Sequence, residues 1–177
     1  EPVRVRKWLW FIPVTYLVVS LAMTDWANLA GQQIGFLAAF TLTMLLVGFT
    51  EEVMFRGIGI VTLRRGGFTE VKVALFTSLI FGAAHLTNAI NSGSSAISQA
   101  VIVTFMGYFL YLARRVSGAI WIPILLHALW DFSLLSGELG AAGEAHSLTQ
   151  LAIPAEVVIG LVVLWRRKKI EPEGSPA

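Results

Sequence analysis

Apolar positions along this chain fall into long blocks with no recurring polar face. Six such blocks stand out, at roughly 8–23, 34–53, 71–87, 96–113, 119–136 and 151–165, and the second has helical character continuing to 63. Blocks of this length without period-3.6 polar positions predict membrane-crossing helices. The sixth is the weakest, being short, with Pro154 and Glu156 near its start. Between the blocks lie Gly66-Gly67, the run 91–95, Ser117-Gly118 and the stretch 137–143, all rich in residues that end helices. The pattern predicts an all-α fold: a polytopic membrane helix bundle of about six transmembrane helices. It forms a single domain over 1–170, followed by a disordered polar tail over 171–177 that carries two prolines.

Composition sharpens this reading. Of 177 residues 56% are hydrophobic, and the mean hydropathy is +0.73, well above the usual share for a soluble domain. The absence of cysteine excludes disulfides, thiolate catalysis and cysteine-type zinc sites. A start at Glu1 in place of Met leaves room for a preceding segment.

Charge placement predicts orientation. Apart from Arg56, every Lys and Arg belongs to one of four clusters: Arg4/Arg6/Lys7, Arg64/Arg65/Lys72, Arg114/Arg115 and 166–169. Six spans bring all four clusters to one side, which the positive-inside rule makes cytoplasmic, together with both termini. The opposite connections hold Asp25, Glu138 and Glu144 and no basic residue. Trp8, Trp10, Trp121 and Trp165 fall near the inner interface and Trp26 near the outer one, as an aromatic belt. Trp130 does not fit the belt. The chain is thus expected to be an integral protein of a bacterial cytoplasmic membrane, with the lipid bilayer as a partner and no nucleic acid.

Against this background Glu51, Glu52 and Arg56 are conspicuous, because a charge at mid-bilayer costs about 2.5–3.5 kcal/mol. They are expected to face a protein interior or a wet cavity. Glu52 and Arg56 stand i,i+4 with the acid first, the favourable order for a helical ion pair. Glu51 lies about 100° round the helix from Glu52, so the two acids serve different purposes. Glu51 is 13 residues from Arg64, His85 is 13 from Lys72 and His127 is 12 from Arg115, or roughly 18–20 Å from each marker in continuous helix. Equal depth on three helices predicts a shared site and one polar cavity, reached from the basic, cytoplasmic side. Asp131, at i+4 from His127, can accept a proton from that ring. Phe81, at i−4 from His85, reads mainly as core, and Ser78, Gly82, Ala83 and Ala84 predict close approach of a neighbouring helix. His146 reads as a solvated residue of the outer loop.

At this point the sequence resembles the CAAX-protease and bacteriocin-processing (CPBP, or Abi) intramembrane proteases, which include the type II CAAX prenyl endopeptidases. Three signatures occur in order on separate blocks: E-E-x-x-x-R as Glu51, Glu52 and Arg56; F-x-x-x-H as Phe81 and His85; H-x-x-x-N/D as His127 and Asp131. The matching core spans about 35–135. The resemblance implies an intramembrane endopeptidase acting on a prenylated or other membrane-tethered peptide or protein, with catalytic residues Glu51, Glu52, Arg56, His85, His127 and Asp131. The eukaryotic enzymes carry Asn where this chain has Asp131, and an ionised carboxylate cannot donate to an oxyanion.

Two chemistries suit these residues. In one, Glu51 and His85 activate water, His127 and Asp131 stabilise the intermediate, and Glu52 and Arg56 fix the helix and local field, with Arg56 also meeting a substrate carboxylate. In the other, Glu51, His85 and His127 ligate one divalent metal, a zinc ion with an open fourth position. H-E-x-x-H is absent, so such a site would be assembled from three helices. Competing readings are a non-proteolytic immunity or scaffold member of the same family, and a proton-coupled transporter using the same groups as a relay. The oligomeric state is not legible in the sequence.

Overall fold

The computed structural model describes residues 5–139 and 147–166, and these form helices and turns with no strand among them. His146 and the 171–177 tail lie outside the described residues. The main helices are α1 (Phe11–Met23), α2 (Ile34–Arg65), α3 (Glu70–Asn88), α4 (Ser95–Ser117), α5 (Trp121–Ser136) and α6 (Ser147–Trp165). Four helices, Ile34–Arg65, Glu70–Asn88, Ser95–Ser117 and Trp121–Leu139, are long and apolar enough to cross a membrane. The apolar segments Trp8–Met23 and Leu151–Trp165 are shorter, so the six predicted blocks each correspond to a helix.

α4 is the centre of the bundle. Residues 106–113 are buried on every side, as expected of a helix hydrophobic all round. α1, α3, α5 and α6 pack on it, while α2 packs on α3 and α5. The outer faces carry Leu42, Leu46, Phe49, Leu79, Ile80 and Val101, all exposed. An exposed apolar surface of this extent is a lipid-facing one. Trp8, Trp10, Trp26, Trp121 and Trp165 are likewise exposed, whereas Trp130 is buried with its ring stacked 4.5 Å from that of Tyr16.

Polar contacts pin the two ends. At the basic end Glu70, in the first turn of α3 where the helix dipole favours an acid, accepts two hydrogen bonds from Arg64 at 2.6 and 3.0 Å. The same carboxylate accepts from Tyr111 and Arg115 of α4, so one acid ties α2, α3 and α4 together. At the opposite end Asp25 caps a short helix, Trp26–Ala30, by accepting from the Asn28 amide at 2.9 Å. Thr24 and the Asp25 amide donate to Ser133 and Ser136 of α5 at 2.9 and 2.8 Å, joining α1 to α5.

Glycines set the helix spacing at the level of the site. A Cβ at Gly82 would stand 1.9 Å from the Thr104 hydroxyl and 2.5 Å from the Ala100 carbonyl, so α3 and α4 touch through it. Ser78 is buried in the same interface, but Ala83 and Ala84 are exposed, and their small size serves no helix contact. α2 does not run as uniform α-helix. A widened π-helical stretch covers Val53–Gly59 and contains Gly57 and Gly59, and such stretches recur where a helix must re-aim side chains. α3 in turn tightens into a 3-10 turn over His85–Asn88.

Candidate active site

The site begins with the end of regular α-helix in α2. Glu51 and Glu52 are its last two residues before the π stretch, and the angle between them gives them different surroundings. Glu52 is wholly buried, and so is Arg56, whose Nη1 donates to Glu52 Oε1 at 2.6 Å. The Arg56 guanidinium also lies over the Phe81 ring, 4.2 Å from its centroid. A buried ion pair persists where geometry and further contacts compensate the loss of water, and here the aromatic face supplies one of those contacts. Glu51, by contrast, keeps a side-chain exposure of 31% and lines a cavity, with its Oε2 buried in the wall.

His127, on α5, sits between the two acids. Its Nδ1 is 2.9 Å from Glu52 Oε1, and its Nε2 is 3.3 Å from Asp131 Oδ2 and 3.7 Å from Glu51 Oε2. Each ring nitrogen therefore has a carboxylate to receive an N–H. The Asp131 contact is the expected i,i+4 one; the Glu52 contact joins two helices and was not predicted. The close α2–α5 approach that permits it comes from Gly48, where a Cβ would stand 2.8 Å from the Ile124 carbonyl.

His85 reaches the site from α3. Its Nδ1 is 2.9 Å from the Phe81 carbonyl. A carbonyl can only accept, so Nδ1 carries the hydrogen and Nε2 of the neutral ring is left as an acceptor. Phe81 is the hub of the arrangement. Besides Arg56, its ring meets His85 edge-on at 4.9 Å and His127 at 5.8 Å. From spacing alone Phe81 reads chiefly as core; the signals for a larger part are its i−4 relation to His85 and its place in the F-x-x-x-H signature.

Glu51, His85, His127 and Asp131 line a single cavity of about 530 Å3. The predicted convergence of the three mid-membrane groups is therefore observed. Two expectations require correction. Arg56 is fully buried and does not line the cavity, so it cannot meet a substrate carboxylate there. The cavity also does not extend toward the basic end: its remaining polar lining is Asn88, Ser95, Ser98 and Gln99, at the opposite ends of α3 and α4. Counting residues from the basic markers fixed depth but carried no information on which side the space lies.

Both His127 nitrogens already face carboxylates, and among the described residues no three His, Asp or Glu side chains are grouped closely enough to hold one ion. The arrangement as it stands does not fit zinc held by Glu51, His85 and His127.

Fold and site together define an all-helical integral membrane protein with a carboxylate–imidazole cluster between its helices. Residues 33–133, more than half of the chain and including all six predicted site residues, match the family model described as type II CAAX prenyl endopeptidase Rce1-like. The chain belongs to that family, and membership implies peptidase activity of the CAAX intramembrane type. No curated protein and no solved structure matches it.

Proposed function

We propose that the protein is an intramembrane endopeptidase that cleaves a membrane-tethered peptide with a water activated by Glu51 and His85. The observation that carries this reading is the meeting of Glu51, His85, His127 and Asp131, from three helices, on one cavity. Glu51 Oε2 is buried and has no hydrogen-bond partner among the described residues, so its lone pairs are uncommitted and a proton taken from water would satisfy it. His85 Nε2 is the acceptor that holds the water beside it. The water oxygen bonds to the scissile carbonyl carbon as its proton passes to Glu51, and the C–N bond then breaks as a proton passes to the departing amine.

His127 stands where its N–H can serve the developing oxyanion or the amine. Asp131 and Glu52 position that ring from its two nitrogens. Arg56 and Phe81 position Glu52 in turn. Direct action on water is the reading that the donor geometry favours, since both His127 nitrogens already face carboxylates. The basic end of the bundle is read as cytoplasmic, from the one-sided clusters of Lys and Arg.

The test is cleavage of an acyl- or prenyl-anchored peptide by purified protein. Glu51→Gln preserves side-chain shape but cannot take the proton, so turnover is expected to vanish while thermal unfolding in detergent stays close to that of the parent. Parent-like cleavage by Glu51→Gln refutes the assignment.

A further inference from the structure

We infer that the cavity opens on the non-cytoplasmic face of the membrane, and that the peptide it receives is one tethered in that leaflet. This rests on the peptidase reading for the nature of the substrate, but its geometry stands apart from the chemistry.

Toward the basic end the site has a closed floor. Glu52, Arg56 and Phe81 are each 0% exposed, and Met106 is 3% exposed. Gly107 lies against them so tightly that a Cβ there would stand 2.9 Å from Arg56 Nη2 and 3.0 Å from the Phe81 ring. A peptide chain has no passage through that layer.

In the other direction the walls continue. His85 is three residues from Asn88 at the end of α3, roughly 5 Å along the axis, against roughly 22 Å back to Glu70 at the basic end. On α4 the lining climbs from Met106 through Val103 and Gln99 to Ser95. Ser98 and Gln99 are exposed, and Asn88 donates to the Gln99 side chain at 2.9 Å. On α5 the lining continues past Asp131 to Leu134 and Leu135, beside the Ser136 that Asp25 holds.

Among the described residues this mouth is therefore at the end that carries no Lys or Arg, since Arg6, Lys7, Arg64, Arg65, Lys72, Arg114, Arg115 and Arg166 fall at the other end and Arg56 is buried. With the basic end cytoplasmic, the mouth faces outward. Its rim offers amides and hydroxyls, which match an extended peptide backbone, beside apolar walls of Ile102, Leu134 and Ile153 suited to a lipid anchor or apolar side chains.

The chain contains no cysteine, so introduced thiols report without background. In intact bacterial cells expressing the protein, an impermeant maleimide is expected to label Ser98→Cys directly and Gly66→Cys only after permeabilisation. Gln99→Cys serves as the second mouth position where Ser98→Cys does not accumulate. Labelling of the mouth thiols only after permeabilisation, labelling of neither, or labelling of Gly66→Cys in intact cells overturns the inference. A second arm uses right-side-out vesicles and an acyl-anchored fluorogenic peptide, which should be cut when added outside and spared when sealed within. Cleavage only of enclosed peptide overturns the substrate side. Outward labelling with no cleavage on either side removes the peptidase reading, and the substrate class with it, while the orientation stands.

Discussion

Gly48 is the most direct mechanical link between the two helices that carry Glu51 and His127. A Cβ there would stand 2.8 Å from the Ile124 carbonyl oxygen and 3.0 Å from the Ala128 amide nitrogen, where ordinary contact begins at 3.4 Å. The larger shortfall is about 0.6 Å, and it is against helix backbone, which cannot rotate aside as a side chain can. In Gly48→Ala, α2 and α5 must therefore part. Glu51 is nearly one turn from Gly48 and His127 adjoins Ala128, so the shift falls on the 3.7 Å separation between Glu51 and His127 and on the 2.9 Å contact with Glu52. Overpacking of this kind costs about 1–3 kcal/mol. A misplacement approaching 1 Å costs up to about 100-fold in rate, so kcat is expected to fall about tenfold or more, with KM less affected. Peptide cleavage kinetics and thermal unfolding in the same detergent measure both effects. Gly35→Ala is the matched control, on the same helix with nothing within 4 Å of the added carbon; it should leave kcat and Tm unreduced. Parent-like kcat and Tm in Gly48→Ala would refute the claim that this glycine sets the site geometry.

The buried pair yields a second prediction. Arg56→Met leaves the buried Glu52 carboxylate with only the His127 contact among the described residues and should cost about 3–5 kcal/mol, while adding Glu52→Gln to it recovers part of that loss; equal or additive losses in unfolding assays of the single and double variants would contradict the coupling. Metal dependence is checked by elemental analysis and chelation in one cleavage assay. The expected result is unchanged turnover in chelator-treated protein, and activity lost on chelation and restored by added zinc would overturn direct action on water.

Several features were legible because they depend on local spacing. The i,i+4 relation of Glu52 and Arg56, the same relation of His127 and Asp131, and the different directions taken by Glu51 and Glu52 all follow from helical geometry alone. Matching depth on three helices brought His85 and His127 to Glu51 before any packing was known. What was not legible depends on tertiary contact. The π stretch over Val53–Gly59 is not encoded by apolar periodicity, and Glu52 could be seen to reach His127 only once α2 and α5 were placed together. The direction of the cavity was missed for a related reason. The residue count assumes continuous helix, whereas α3 tightens at His85 and ends one turn later, and Ser95, at the end of the connection 91–95, forms a wall together with Ser98 and Gln99 from the start of the fourth apolar block. Glu156 was read only as a defect in the sixth block. It is buried beside Tyr16 in an apolar pocket, with both carboxyl oxygens lacking a partner among the described residues.

The placement of two adjacent glutamates on opposite sides of one boundary explains how a charged cluster is tolerated at this depth. Three ionisable groups facing lipid would cancel most of the insertion energy of α2. Dividing them avoids this. Glu52 and Arg56 go below the boundary, where each offsets the other and Phe81 covers the guanidinium. Glu51 stays above it, where the cavity gives access to water. His127 makes polar contacts with both layers, through Nδ1 below and Nε2 above. The lower layer thus determines the orientation of a ring that works in the upper one. A change that disturbs only Arg56 or Phe81 should consequently be felt in the cavity, although neither Arg56 nor Phe81 lines it. That dependence distinguishes a positioned site from a chance gathering of polar groups, because in a chance gathering the buried pair could be replaced by apolar residues with no effect above the floor.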